Sequence, residues 1–191
     1  MKRIEELILE RGEIKPGNIL KVDSFLNHQI DVEVLSEIAD AFIEHFGKKE
    51  ITRILTIEAS GIAIAVALAS KLKVPVVFAK KTESLNLDTD RYTSRVYSYT
   101  KQKEYTIQIS KRYLQAEDKV LIVDDFLALG SAAKGLIDLC NQAQAELVGM
   151  GIVIEKAFQD GGKELREQGI DLCSLARIEA FNEDGTVSFC K

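Results

Sequence analysis

The chain has 191 residues, 46% of them hydrophobic and 29% charged, with a net charge of −5. That length suits one domain with a full core, or one domain with a small appendage. The acidic balance, with no basic tract beyond short pairs such as Lys80-Lys81, argues against nucleic acid as a partner, yet leaves room for a phosphorylated small molecule.

In chain order, Met1 to Leu7 is mixed-charge and lacks the apolar stretch of a signal peptide. No later run approaches the ~20 apolar residues of a membrane span. Ile4, Leu7 and Ile8 before Gly12 predict a short amphipathic helix with a glycine stop. Ile19 to Asp23 reads as extended. Asp31 opens a stronger helix, with Leu35, Ile38, Ala39, Phe42, Ile43 and Phe46 at helical spacing and Gly47 at its end.

From there the pattern alternates. Arg53–Ile57 predicts a strand, Gly61–Lys71 a helix and Pro75–Ala79 a strand. Thr82–Arg91 is polar and aperiodic, so a mobile loop is expected there. Val96–Thr100 and Tyr105–Ile109 have β character and predict a hairpin or adjacent antiparallel strands around Lys101–Glu104. Val120–Val123 predicts a strand, Leu129–Ala143 a helix, Leu147–Ile154 a strand and Lys163–Gln168 a short helix. Ser174–Ala180 and Val187–Phe189 are expected as short strands outside the main alternation. Strands alternating with helices imply βαβ crossovers and a mainly parallel sheet flanked by helices, an α/β fold. Cys140, Cys173 and Cys190 are far apart and form no CxxC or Cys/His cluster. That fits a reduced cytoplasmic protein with inert thiols rather than disulfides or zinc.

The densest chemical signal is Val120 to Ala133. Four apolar residues run into Asp124 and Asp125, and the small residues Ala128-Leu129-Gly130-Ser131-Ala132 then lead into a helix. A buried strand delivering two carboxylates, followed by a helix N-terminus with bare N–H groups, suits a charged phosphorylated ligand. A pair that merely caps the strand is the plainer alternative. No GxxxxGK[ST] is present, which argues against an NTPase. The pair lies well past the middle of the chain, which argues against a phosphorelay receiver. Enzymes that hold a phosphorylated ribose remain the best fit. Neither His28 nor His45 has a nucleophile or carboxylate partner at a catalytic spacing; His45 sits in a last helical turn, where an imidazole suits the dipole.

The Asp124–Ala132 segment resembles the phosphoribosyl-pyrophosphate signature of type I phosphoribosyltransferases. It departs at Phe126, where a smaller aliphatic is usual, and at Leu129, where a polar side chain is usual. The second loses a side-chain hydrogen bond to phosphate and keeps the backbone donors. Further pieces, Ile19–Gln29, Thr56–Ala63, Pro75–Lys81, Val96–Lys101 and Ile152–Phe158, resemble the branch of that family acting on xanthine, over nearly the full length.

The resemblance implies a single domain, with a hood from roughly residues 1–35 and 156–191 and a lid from roughly 82–104. It makes Asp124 and Asp125 catalytic and gives the donor's 5′-phosphate to residues 128–132. Glu58-Ala59-Ser60-Gly61 becomes the pyrophosphate loop, although on its residues alone it could equally be a turn with Ser60 as N-cap. Lys80 and Lys81 are implied for pyrophosphate, an isolated solvated pair being the plainer reading. Leu20, Asn27 and Lys156 are implied for the base, with Lys156 donating to a purine carbonyl. Outside the resemblance Asn27 reads as a turn residue, and Phe158 as a core residue rather than one stacked on a base. The expected partners are xanthine and phosphoribosyl pyrophosphate with substrate-bound Mg2+, no metal site of the protein's own, and a second copy in a homodimer. Guanine or hypoxanthine as acceptor, or a non-catalytic sensor of the donor, are the alternatives.

Overall fold

A computed structural model describes residues 2–81, 90–98, 103–182 and 184–191. Helix α1 spans Lys2–Arg11, and strands β1 (Glu13–Lys15) and β2 (Ile19–Lys21) follow as a small antiparallel pair. A π-helical turn at Asp23–Asn27 leads to α2 (Val32–Phe46), then β3 (Arg53–Ile57), α3 (Ser60–Leu72) and β4 (Val76–Ala79). Strands β5 (Arg91–Ser98) and β6 (Lys103–Ser110) precede β7 (Lys119–Leu127), α4 (Ser131–Ala143) and β8 (Glu146–Lys156). Helix α5 (Gly161–Glu167), β9 (Leu172–Phe181) and β10 (Val187–Phe189) complete the order.

Six strands form the central sheet in the spatial order β10-β9-β8-β7-β3-β4. Every neighbouring pair is parallel except β10 on β9. The C-terminal strands expected outside the main alternation therefore extend it, because α5 acts as a short crossover that lays β9 beside β8. Two apolar layers sandwich the sheet. One joins α1, α2 and α3 through residues such as Ile4, Phe42 and Leu68. The other joins α4, α5 and the β5–β6 pair through Leu136, Leu165 and Ile107. Asp31 caps α2 as expected, its side chain accepting from Val34 N at 3.4 Å.

Strand β3 has β4 on one side and β7 on the other, so the direction in which the sheet is built reverses between β3 and β7. In open parallel sheets the crevice outside the strand carboxyl ends at such a reversal is where ligands bind. The chain leaving β3 is Glu58 to Gly61, and the chain leaving β7 is the acid-and-glycine segment.

Three details differ from the sequence reading. The acids do not follow a strand but lie within it: Asp124 pairs with Ile152, Phe126 with Ile154 and Leu127 with Glu155, so the β8 ladder carries β7 onward. Helix α4 consequently starts at Ser131 rather than Leu129. Strand β5 already begins at Arg91, in full antiparallel register with β6. Residues 82–89 of the expected mobile loop, and 99–102 at the expected hairpin turn, lie outside the described residues, so only 90–98 and 103–104 of the implied lid can be placed.

The three cysteines are free, and burial pushes the Cys140 thiol up to about 12 and Cys173 to about 11. No helix among the described residues is long and apolar enough to cross a membrane.

Candidate active site

The two aspartates sit at the topological reversal, each 8% exposed. Asp124 Oδ1 accepts from Asp125 N at 3.0 Å. Burial holds the Asp124 carboxyl well above the usual range; the neighbouring Asp125 charge adds to this, and the Lys81 charge opposes it. Two carboxyl groups this close in a dry site resist sharing full negative charge. They are suited to receive a cation or polar hydroxyls.

That shift makes a stability prediction. The folded state holds the Asp124 proton to higher pH than the unfolded chain, whose ordinary value is 3.8. The ionised group therefore opposes folding increasingly as pH rises through the window above that value. Asp124→Asn should be more stable than the parent at neutral pH, by on the order of 1 kcal/mol or about 2–4 °C in Tm. The gap should close as pH falls below the ordinary aspartate range. Thermal melts at matched pH values test this, and a variant that melts lower at neutral pH contradicts it.

The loop leaving β7 delivers the N-terminus of α4. Gly130 takes the left-handed conformation at φ 79° and occupies the cap position of α4, where no side chain among the described residues caps the helix. The first-turn N–H groups therefore point out unpaired by side chains, which is the arrangement that receives phosphate. Residues 128–132 line a cavity of about 490 Å3, together with Gly17, Asn18, Ile19, Tyr97, Tyr105, Lys156 and Gln159.

Lys156 lines the same cavity as this loop. Its Nζ donates to Asn18 O at 2.8 Å and lies 5.9 Å from the Phe181 ring centroid. Burial lowers its pKa from the ordinary lysine value. An ammonium has three donors, so a carbonyl in the cavity can be served alongside Asn18. Asn27 comes from the N-terminal segment: its Nδ2 donates to Asp125 Oδ2 at 3.2 Å, joining that segment to the acids across 98 positions. Leu20 lies on β2 with its side chain in the core, and strand alternation presents Ile19 to the cavity instead.

On the β3 side, Ser60 is the first helical residue of α3 and does not act as its cap. Glu58 Oε1 accepts from Lys81 N, tying this loop to the end of β4. Gly61 presses against the acids: a Cβ there would lie 2.0 Å from Thr56 Oγ1 and 2.9 Å from Asp124 Oδ1. The lysines diverge. Lys81 Nζ lies over the Tyr105 ring at 5.6 Å and acts electrostatically on Asp124. Lys80 is bridged through its backbone to Gln108 and lines a different cavity at the sheet edge, with Arg53, Phe78 and Tyr113.

Phe158 is exposed and packs edge-on against Phe181 at 5.6 Å, so it is not a core residue. His45 pairs with Asp171 at 2.8 Å, near the amino end of β9 and remote from the cavity. Sequence reasoning missed Tyr97, Tyr105, Asn18 and Gln159. Tyrosines in a polar hairpin and a turn asparagine have no local pattern that marks them as lining a site. Among the described residues no three His, Cys, Asp or Glu side chains converge as a metal cage.

Comparison with known proteins agrees with this geometry. Residues 21–174 match the family model described as phosphoribosyl transferase domain. The chain is 56% identical over 191 residues to a protein of Bifidobacterium adolescentis named xanthine phosphoribosyltransferase, covering 99% of both chains. It is 55% identical over 189 residues to a protein of the same name from Ruminiclostridium cellulolyticum, again covering 99% of both. Among solved structures, adenine phosphoribosyltransferase from Trypanosoma brucei superposes with a TM-score of 0.78 at 18% identity, covering 96% of this chain and 81% of that one. The Thermoanaerobacter pseudethanolicus adenine enzyme gives 0.74 at 20%, covering 91% and 99%. At such identities these structures speak for the fold alone.

Proposed function

Because the chain belongs to the phosphoribosyl transferase domain family, we propose that it transfers the 5-phosphoribosyl group from phosphoribosyl pyrophosphate to xanthine, giving xanthosine 5′-monophosphate and pyrophosphate. The observation that carries this reading is the meeting, around one cavity, of an uncapped helix N-terminus and Lys156, with the acid pair a few residues upstream on β7, the strand that leads into that helix. High identity to relatives named for xanthine directs the choice of base.

The roles follow from chemistry. Loop 128–132 anchors the 5′-phosphate, so remote binding energy positions the reacting carbon. Asp124 and Asp125 hold the ribose hydroxyls and place negative charge beside the anomeric carbon as it gains oxocarbenium character. Glu58–Gly61 and Lys81 receive the pyrophosphate; Lys80, which faces the neighbouring cavity, would act there only from the sheet edge. A purine ring nitrogen forms the new bond as the bond to pyrophosphate breaks. Asp124 and Asp125 would hold a magnesium ion bound with the donor, which would offset the leaving group's charge. Two acids suit an ion whose other ligands are substrate oxygens. Lys156 donates to a carbonyl of the base and disfavours adenine, whose amino group would meet a cation. Asn27 reads the purine edge from the hood, and Leu20 contributes by fixing β2 beneath Ile19. The assembly is a homodimer in the cytoplasm, with the exposed Phe78 and Tyr113 beside edge strand β4 as the candidate contact.

Incubation with magnesium, phosphoribosyl pyrophosphate and each base singly tests the function. Xanthosine monophosphate formed fastest is the expected result. Faster turnover of guanine or hypoxanthine overturns the base, and no nucleotide from any base overturns the enzyme in favour of a sensor. For the base contact, Lys156→Met should raise KM for xanthine roughly 10- to 100-fold, the value of a charged hydrogen bond. KM for the donor should change little; equal rises in both would remove Lys156 from the base.

A further inference from the structure

We propose that Gly161 and the pair formed by the buried Glu155 with the partly exposed Arg166 are positioning residues that set the shape of loop 128–132, and with it the seat of the donor phosphate. This rests on reading that loop as the phosphate cradle. A cradle made of backbone N–H groups has no side chains of its own to hold its shape. Its geometry must come from what stands behind it.

What stands behind it is the first residue of α5. Gly161 N donates to Ala128 O at 3.2 Å. A Cβ on Gly161 would fall 2.4 Å from Ala128 O, 2.6 Å from Gly130 N and 2.7 Å from Leu129 C. The backbone of α5 therefore lies on the backbone of the cradle at a distance that only glycine permits. A helix of seven residues cannot hold itself in place, so its position is imposed by ties to the rest of the fold.

Those ties converge on one carboxylate. Glu155 is 1% exposed, and Arg166 reaches it with both terminal nitrogens, each at 2.7 Å. Arg177 Nε approaches the same group at 3.4 Å. Gly162 packs so closely on Glu155 that a Cβ would lie 2.2 Å from Oε1. A second tie, Lys134 to Glu164, joins α5 to the start of α4. Glu155 also pairs in the ladder with Leu127, the last strand residue before the cradle, and immediately precedes Lys156. The carboxylate thus ties α5, the helix that backs the cradle, to β8, whose backbone pairs with the last residue of β7 before the cradle. A buried ion pair is weak evidence of added stability, since apolar replacements often do as well. The two-pronged guanidinium–carboxylate fork supplies direction instead.

The test compares Gly161→Ala, Arg166→Lys and Glu155→Gln with the parent. The readouts are kcat, KM for each substrate, the Kd of ribose 5-phosphate by calorimetry, and Tm. Gly161→Ala should raise the donor KM and the ribose 5-phosphate Kd at least about tenfold, because the cradle must move by a large part of an ångström. KM for xanthine should hardly move. Arg166→Lys keeps the charge and loses the fork, so it should shift the same constants less; if Gly161→Ala does not fold, it and Glu155→Gln decide. A lower Tm with both KM values unchanged, or both rising together, overturns the proposal in favour of a purely structural role. Failure of the parent itself to bind ribose 5-phosphate overturns the cradle reading and this proposal with it, a result visible before any substitution is made.

Discussion

Exchanging Asp125 for asparagine is expected to leave a folded protein that turns over roughly 100- to 1,000-fold more slowly, the scale on which one preorganised electrostatic partner of a transition state acts. The substitution isolates charge. Asparagine has the same shape, and its carbonyl oxygen can still accept the hydrogen bond that Asn27 Nδ2 now gives to Asp125 Oδ2. The N-terminal segment should therefore stay docked, and the melting temperature should not fall. What is lost is a negative charge near the carbon that becomes cationic. The loss should appear in kcat more than in KM, because the charge acts mainly on the transition state. Turnover unchanged within about twofold would show that Asp125 is a structural acid; a comparable drop in Asn27→Ala would indicate that docking, rather than charge, sets the rate.

Gly61→Ala should cost about 100-fold or more in kcat/KM, because the methyl group has no room between Thr56 and Asp124. Thr56 is fully buried on β3, and its Oγ1 has no hydrogen-bond partner among the described residues. It stands 2.0 Å from where the new Cβ would be, and Asp124 Oδ1 stands 2.9 Å away. The strand cannot yield cheaply, so α3 and the loop leading into it must lift, or Asp124 must turn away. Either movement separates the acids from the loop opposite. Adding Thr56→Ala removes the nearer obstruction and should recover part of the activity. The two changes are then non-additive, as expected for residues in contact. Strict additivity, or a Gly61→Ala enzyme of normal rate, would contradict the packing argument.

Much of this arrangement is legible along the chain because its signals are local. The run Val120 to Val123 is apolar, the acids are adjacent, and the small residues after them precede a helical period, all within 14 positions. Alternation of strands and helices was enough for a mainly parallel sheet. What was not legible is the non-local part. Asn27 and Asp125 are 98 positions apart, and Lys156 and Asn18 are 138 apart. Neither pair has a neighbour in sequence that announces it. Strand β1 has only three residues, too few to show a period. The start of β5 is rich in polar residues, so its ladder with β6, rather than its hydrophobicity, defines it. The charge of the acids ends the apolar run and so marks a strand end in sequence, yet the ladder to β8 is blind to side-chain charge and continues beneath them. Lys80 and Lys81 look alike as a pair, and only the bridge from Lys80 to Gln108 separates their surroundings.

The bare start of α4 has a consequence for how long the folded state lasts. A glycine N-cap in place of a capping side chain costs a helix only about a few tenths of a kcal/mol, and here Gly130 supplies the turn without a capping side chain. An anion seated on those N–H groups would become the missing cap, so the proposed donor would complete the secondary structure as well as occupy the site. Ligand bound only to the folded form adds about 2.7 kcal/mol at a hundred times its dissociation constant. On the proposed seating of the donor phosphate in this loop, donor concentration and resistance to unfolding are linked through one helix terminus, and the protein is least robust when its donor is scarce.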